Sequence, residues 1–150
     1  MLPDSIELVV VTPERQLLTQ SVSEVSIPGA GGCLGILPGH APLITELGIG
    51  ELSYRPKGSS DMEHLAIISG FAEVLGDRVS VLAETAERPE EIDVARAEEA
   101  KKRAEQRLTE AARNPEVDWD RASVALQRAV IRLRVAEFGR KRHSTPFQNP

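Results

Sequence analysis

Aromatic residues are scarce, with Phe, Trp and Tyr together making up 3% of the 150-residue chain. A core must therefore come mainly from Val, Ile, Leu and Ala, and the aromatic platforms on which single-stranded nucleic acid stacks are missing. Cysteine is represented once, by Cys33, which excludes an internal disulfide framework and a cysteine-built zinc site and fits a reducing compartment. Long apolar runs are absent too: the longest is about four to five residues, against the roughly 20 of a membrane-spanning helix. Met1 opens without a basic or apolar leader, so a soluble, unprocessed chain is the expectation. His40, His64 and His143 have no ligand spacing, and no metal site is expected.

What is present is unevenly divided. Residues 1–86 carry 4 Lys and Arg against 11 Asp and Glu, and residues 87–150 carry 14 against 12, giving halves of −7 and +2. Ten of the eleven glycines precede residue 77, and between Glu90 and Phe138 the sole proline is Pro115. The charge and glycine distribution calls for two architectures, 1–86 and 87–141, and the terminal residues 142–150 are expected to be a flexible tail.

In the first half, short β-branched runs recur between turn signals: Ile6 to Val11, Leu17 to Leu18, Val22 to Ile27, Ile49 to Tyr54, Leu65 to Ser69 and Val79 to Glu84. Such spacing predicts an all-β sandwich or barrel. Val22, Val25 and Ile27 partly alternate with Ser23, Glu24 and Ser26, and Val79, Leu82 and Ala83 interleave with Ser80 and Glu84 as half-buried strands should. From Ile27 to Leu43 the chain is crowded with Gly and Pro, which dictate tight turns and leave few side chains for chemistry. A Walker loop is excluded because Gly35 is followed by Ile36 and Leu37, and the dinucleotide pattern fails where Gly29-x-Gly31 meets Leu34. Cys33 with His40 is a conceivable thiolate pair for a small enzyme, but it lacks a third orienting group, and a lone cysteine of this kind is read as packing.

The second half carries helical signals. Pro89 suits a first turn, and Glu90, Glu91 and Asp93 set negative charge at a helix start near Pro89 to Ile92. Ala97, Ala100, Ala104, Leu108 and Ala111 recur at steps that keep them on one stripe until Asn114-Pro115 breaks the helix. Asp118 or Asp120 can cap a second helix striped by Ala122, Leu126, Ala129, Leu133 and Ala136, with Gly139 as its expected end. Two such helices on a short turn form an antiparallel hairpin. Its alanine seam gains little, at ~0.8 kcal/mol per methyl-sized group, while Ala, Glu, Lys, Arg and Leu keep each rod helical when separated. Such a seam suits a two-state element, but a merely structural hairpin has the same sequence signs, and pattern alone favours the structural one.

Five strings in register resemble the epsilon subunit of F-type ATP synthases: residues 27–43 with Thr45, Leu47 and Gly50, then 68–74, 79–86, 92–97 and 133–137. The resemblance spans about residues 5 to 141 and implies a ten-stranded β-sandwich followed by a C-terminal antiparallel α-helical hairpin. It implies a non-catalytic regulatory subunit whose sandwich binds the gamma subunit and sits on the c-ring, and whose extended helices enter the α/β hexamer and restrain ATP hydrolysis. Arg121, Arg128, Arg132, Arg134, Arg140, Lys141 and Arg142 would then meet acidic hexamer surfaces. For the ring contact it implies Gly31, Gly32, Cys33, Leu34 and His40, although Cys33 stands where some relatives carry an acidic residue. It places the chain at the cytoplasmic face of a bacterial inner membrane through its partners, with no nucleic acid bound and no membrane insertion of its own.

Ile92-Asp93-x-x-Arg96-Ala97 further resembles the motif of bacterial relatives that bind ATP on the folded hairpin, with Glu87 and Arg103 at matching positions. Positions 96, 100, 103 and 107 share a helix flank, so Arg96 and Arg103 can converge on one polyphosphate, with Arg132 and Arg128 approaching from the second helix. Glu87 and Asp93 would accept hydrogen bonds from adenine or ribose or orient the arginines. The opposing reading is ion pairing within the helix, Asp93 with Arg96 and Glu99 with Arg103. No cofactor is required, and ATP would be a regulatory ligand. The rival function is a free-standing ATP-sensing adaptor without a rotor.

Overall fold

The β-branched runs of the first half form strands that close on one another. In the computed structural model, which describes residues 3–143, they are β1 (Ile6–Val11), β2 (Gln16–Gly29), β3 (Gly32–Ile36), β4 (Leu43–Pro56), β5 (Glu63–Leu75) and β6 (Arg78–Glu87). Strand order is β1-β6-β5-β4-β2-β3, and β1 also pairs with β2, so five strands close a ring while β3 extends the far end of β2. β1 and β6 run parallel, and the other pairs are antiparallel. Closure leaves an inner face on which every second residue is shielded. Leu8, Val10, Val22, Val25, Ile27, Leu52, Leu65, Ile67, Val79 and Val81 are fully buried there, an aliphatic core as the aromatic shortage requires.

Three features differ from the sequence expectation. The short runs at Leu17 and Val22 belong to one strand, β2, and a register shift between Val22 and Glu24 explains why its inward residues are spaced 22, 25, 27. Part of the glycine-rich segment is itself a strand: β3 pairs with β2 through Gly29 opposite Gly32, at the turn where Gly32 takes φ +138°. Leu82 faces outward, 58% exposed, because strict alternation from Val79 puts Val81 and Ala83 inside.

The structure has six strands where ten were expected, and four of the six, β2, β4, β5 and β6, interrupt their pairing. Pairing lapses at Gly48 in β4, Ser69 in β5 and Glu84 in β6, while β2 shifts register twice. At the β5 corner Ser69 takes φ +58° and Gly70 φ +129°, which lets one strand serve both faces of a flattened barrel.

The chain divides into two compact units, one ending at Glu87 and the other beginning at Arg88. In the second, Pro89–Glu91 forms a separate 3-10 turn, closed by the Arg88 amide donating to Glu91 Oε2 at 3.0 Å. The first helix, α1, is therefore Val94–Ala111 and starts later than expected: Ile92 is extended, and Asp93 is the N-cap, accepting from the Arg96 amide at 3.1 Å. The second, α2, is Trp119–His143, capped by Asp118, which accepts from the Arg121 amide at 3.1 Å.

The expected stripes meet. Ala97, Ala104, Ala122, Ala129 and Ala136 are buried, and Ala100, Leu108, Ala111, Leu126 and Leu133 are half-buried. Gly139 does not end α2, which continues to His143, so residues 142–143 are helical; the rest of the tail expected to be flexible, 144–150, lies outside the described residues. A Cβ at Gly139 would lie 3.2 Å from Pro89 Cβ, so this glycine serves close approach within the helix rather than a cap. α2 also buries Ile131 and Val135, more than 100° around the helix from the alanine row, a second face the stripe reading omits.

Candidate functional site

Two surfaces carry the expected site residues, one on each unit. On the β unit, Gly31 and Gly32 form the exposed tip between β2 and β3, Cys33 follows in β3 and is exposed, and Leu34 turns inward to pack against the core. Cys33 is thus not a packing residue. Its sulfur lies 2.7 Å from Ser26 Oγ across the β2–β3 ladder, while His40 Nδ1 lies 2.6 Å from the Ala41 carbonyl in a separate turn closed by the His40 amide donating to Leu37 O at 3.1 Å. Each member of the conceivable thiolate pair is engaged elsewhere.

The same unit presents an apolar face that sequence reasoning missed. Phe71 on β5 sits opposite Leu82 on β6, and Ile44 on β4 sits opposite Glu73, the next residue of β5 on that face. Phe71, Leu82 and Ile44 are 58%, 58% and 73% exposed, and Leu75, 60% exposed, continues the β5 row. Glu46, opposite Phe71, and Glu73 add negative charge. The available signal was Phe71-Ala72-Glu73-Val74-Leu75, a strand with apolar residues on both phases of the alternation.

On the helical unit, Arg96 and Arg103 stand two turns apart on the exposed side of α1. Asp93 is brought to Arg96, through its backbone amide rather than its guanidinium. Among the described residues neither Arg96 nor Arg103 makes an ion pair, and the pair within α1 is Lys101 with Glu105 at 3.9 Å, so the intrahelical pairing considered for Arg96 and Arg103 is not formed. On α2, Arg128 is exposed and Arg132, one turn on, is half-buried and engaged. Glu87 closes β6 opposite Ala66, in the first unit. The described residues hold no cluster of His, Cys, Asp and Glu able to bind a metal ion, and no helix long and apolar enough to cross a membrane.

The β-sandwich domain family of the ATP synthase delta/epsilon chain matches residues 5–89, and the long alpha-helix domain family of the same chain matches residues 90–137. The chain belongs to the ATP synthase delta/epsilon family. It is 47% identical over 136 residues to the ATP synthase epsilon chain of Solibacter usitatus, covering 91% of this chain and 98% of that one. Identity rises to 61% over 105 residues with the epsilon chain of Koribacter versatilis, over 70% of this chain and 72% of that one. The fold matches a chain in the Euglena gracilis mitochondrial ATP synthase, OSCP/F1/c-ring, in rotational state 1, with TM-score 0.77 and 24% identity over 91% of this chain and 84% of that one. As a bacterial F-type epsilon chain, it is a non-catalytic subunit of the enzyme that couples proton transport to ATP synthesis. The Cys33–His40 enzyme reading therefore falls.

Proposed function

We propose that this epsilon chain works in the central stalk as a coupling and braking subunit, with ATP favouring the folded hairpin. The alanine-built seam carries this reading. Five buried alanines contribute only a few kcal/mol at ~0.8 kcal/mol per methyl, so differential binding of similar size can tip the hairpin between closed and open. α1 and α2 are rich in helix-favouring residues and remain rods when parted. Opened helices would bring Arg121, Arg128, Arg132, Arg134, Arg140, Lys141 and Arg142 to acidic surfaces of the α/β hexamer and resist rotation.

The β unit is the anchor. The outward face of Ile44, Phe71 and Leu82 is the surface we assign to the gamma subunit, since an exposed apolar patch rimmed with polar groups is what a docking partner covers. Gly31, Gly32, Cys33 and Leu34 at the β2–β3 tip, with His40, are assigned to the c-ring. Attachment through these partners would hold the chain at the cytoplasmic face of the inner membrane. Phe71→Asp with Leu82→Asp should abolish co-purification with gamma while leaving the circular dichroism spectrum intact, because both side chains point to solvent. Retention of gamma by the folded double variant would overturn this assignment.

Two guanidinium groups on one flank of α1, unpaired with carboxylates, suit a polyphosphate. Titration calorimetry of the isolated chain with ATP should show binding that weakens by about tenfold or more in both Arg96→Ala and Arg103→Ala, the loss expected for a charge-assisted hydrogen bond. Unchanged heats in both variants would remove this site.

A further inference from the structure

The closed hairpin has a second fastening besides its alanine seam, at the end remote from its turn. Gly139 is the one glycine of the helical half, and it lies inside α2, four residues before the last helical residue. Glycine in a helix interior is unfavourable by roughly 1 kcal/mol relative to alanine, so its presence needs a cause. The cause is on the linker side. A Cβ at 139 would stand 3.2 Å from Pro89 Cβ, 3.5 Å from the Pro89 carbonyl carbon and 3.6 Å from the Glu90 amide nitrogen. These atoms belong to the 3-10 turn Pro89–Glu91, which is itself fixed: Pro89 has its φ locked by its ring, the Arg88 amide donates to Glu91 Oε2, and the Ile92 amide donates to Pro89 O at 3.4 Å. Ile92, which joins the turn to the Asp93 cap of α1, is 8% exposed.

We propose that the Pro89 turn seated on Gly139 is the clasp of the hairpin, setting how often α2 leaves the linker and hence how readily the brake opens. The clasp rests on the mobile hairpin proposed above, though not on the braking role. A side chain at 139 acts on the two states unequally. Helix propensity favours Ala or Leu over Gly in the closed and the open rod alike and so cancels between them, whereas the encounter with Pro89 exists only when α2 lies against the turn. Filling position 139 therefore biases the equilibrium towards open without weakening the helix. Overpacking of this kind lowers the closed-to-open ratio by about tenfold or more for a bulky side chain, and less for Ala, where Pro89 must give by a few tenths of an ångström.

The experiment uses the full chain with Cys33→Ser, spin labels at Glu98→Cys on α1 and Glu137→Cys on α2, both exposed positions, and distances from pulsed electron resonance. The starting chain should give a dominant short distance. Gly139→Leu should shift the population to long distances with helical content retained, Gly139→Ala should shift it less, and Gly139→Leu with Pro89→Gly should return it towards short by removing the ring that Leu meets. A short distance persisting in Gly139→Leu overturns the clasp, as does a shift that Pro89→Gly leaves unrelieved or one accompanied by loss of helix. Because this readout needs no other subunit, its failure is separate from failure of the braking role, which is read in the assembled motor.

Discussion

Locking the hairpin shut should release the brake. In a Cys33→Ser background, a disulfide between Ala104→Cys and Ala129→Cys, both buried on the meeting stripes, holds α1 against α2. The two positions lie at matching distances from the turn, since Ala104 is one heptad from Ala111 and Ala129 one heptad from Ala122. Assembled with α, β and γ, the oxidised chain should allow ATP hydrolysis at the rate given by a chain ending at Glu87, where the β unit ends. Both should exceed the reduced chain's rate by on the order of tenfold, which corresponds to ~1.4 kcal/mol of bias towards the open state. Adding reductant should restore the slow rate in the crosslinked complex and leave the truncated one unchanged. Equal rates for oxidised, reduced and truncated complexes, with the disulfide verified, would show that these helices exert no restraint.

That experiment depends on the seam, which was the most legible part of the molecule. Ala97, Ala104, Ala122, Ala129 and Ala136 repeat at helical spacing in a stretch interrupted by one Asn-Pro, and each is buried where the pattern puts it. Local chemistry also marked Asp118 as a cap, since an Asp side chain can satisfy amides that a helix start leaves bare. Legibility fails where one residue type has two uses. Gly139 reads as a helix end because glycine commonly caps, yet it answers to a proline 50 positions away in sequence, a relation no local pattern contains. Glycines around Gly32 read as loop, but Gly32 and Gly35 are paired residues of β3, and Gly29, opposite Gly32, leaves no room for a side chain against the Gly32 carbonyl. Leu82 reads as core because it is apolar, and its phase relative to Val79 was the better guide.

The candidate surfaces were legible in unequal measure for the same reason. Arg96, Arg103 and Asp93 stand out by spacing along one helix, and the structure keeps the two arginines on its exposed side. The apolar face of Ile44, Phe71 and Leu82 comes from three strands, and only the register that sets Phe71 beside Leu82 and Ile44 beside Glu73 assembles it. Contact surfaces built across a sheet are non-local by construction, whereas a helix flank is written along a few turns.

The largest loss of stability should come from Gly70→Ala. The β5 corner needs φ +129° at this position, a conformation that L residues rarely adopt, and a Cβ there would fall 2.1 Å from the Leu82 carbonyl oxygen and 2.8 Å from Ala83 Cα. Both obstacles are backbone atoms of β6, paired with β5 on either side of the corner through Phe71 opposite Leu82 and Ile68 opposite Thr85. A flexible side chain could rotate away, but β6 can retreat only by giving up ladder hydrogen bonds and the packing of Val81 and Ala83. Strain and displacement together should cost about 3 kcal/mol or more, moving the urea midpoint of the full chain down by more than about 1 M. Gly31→Ala is the internal contrast: beyond its chain neighbours nothing lies within 4 Å of the added methyl and its φ is not positive, so its stability should change by no more than the ~0.5 kcal/mol typical of surface changes. Equal midpoints for the two variants would mean that the corner is pliable and that the kinked strands do not depend on it. A collapse of Gly70→Ala alone would show that one glycine lets β5 turn its corner against β6 and so holds the exposed residues Phe71 and Leu82 in register.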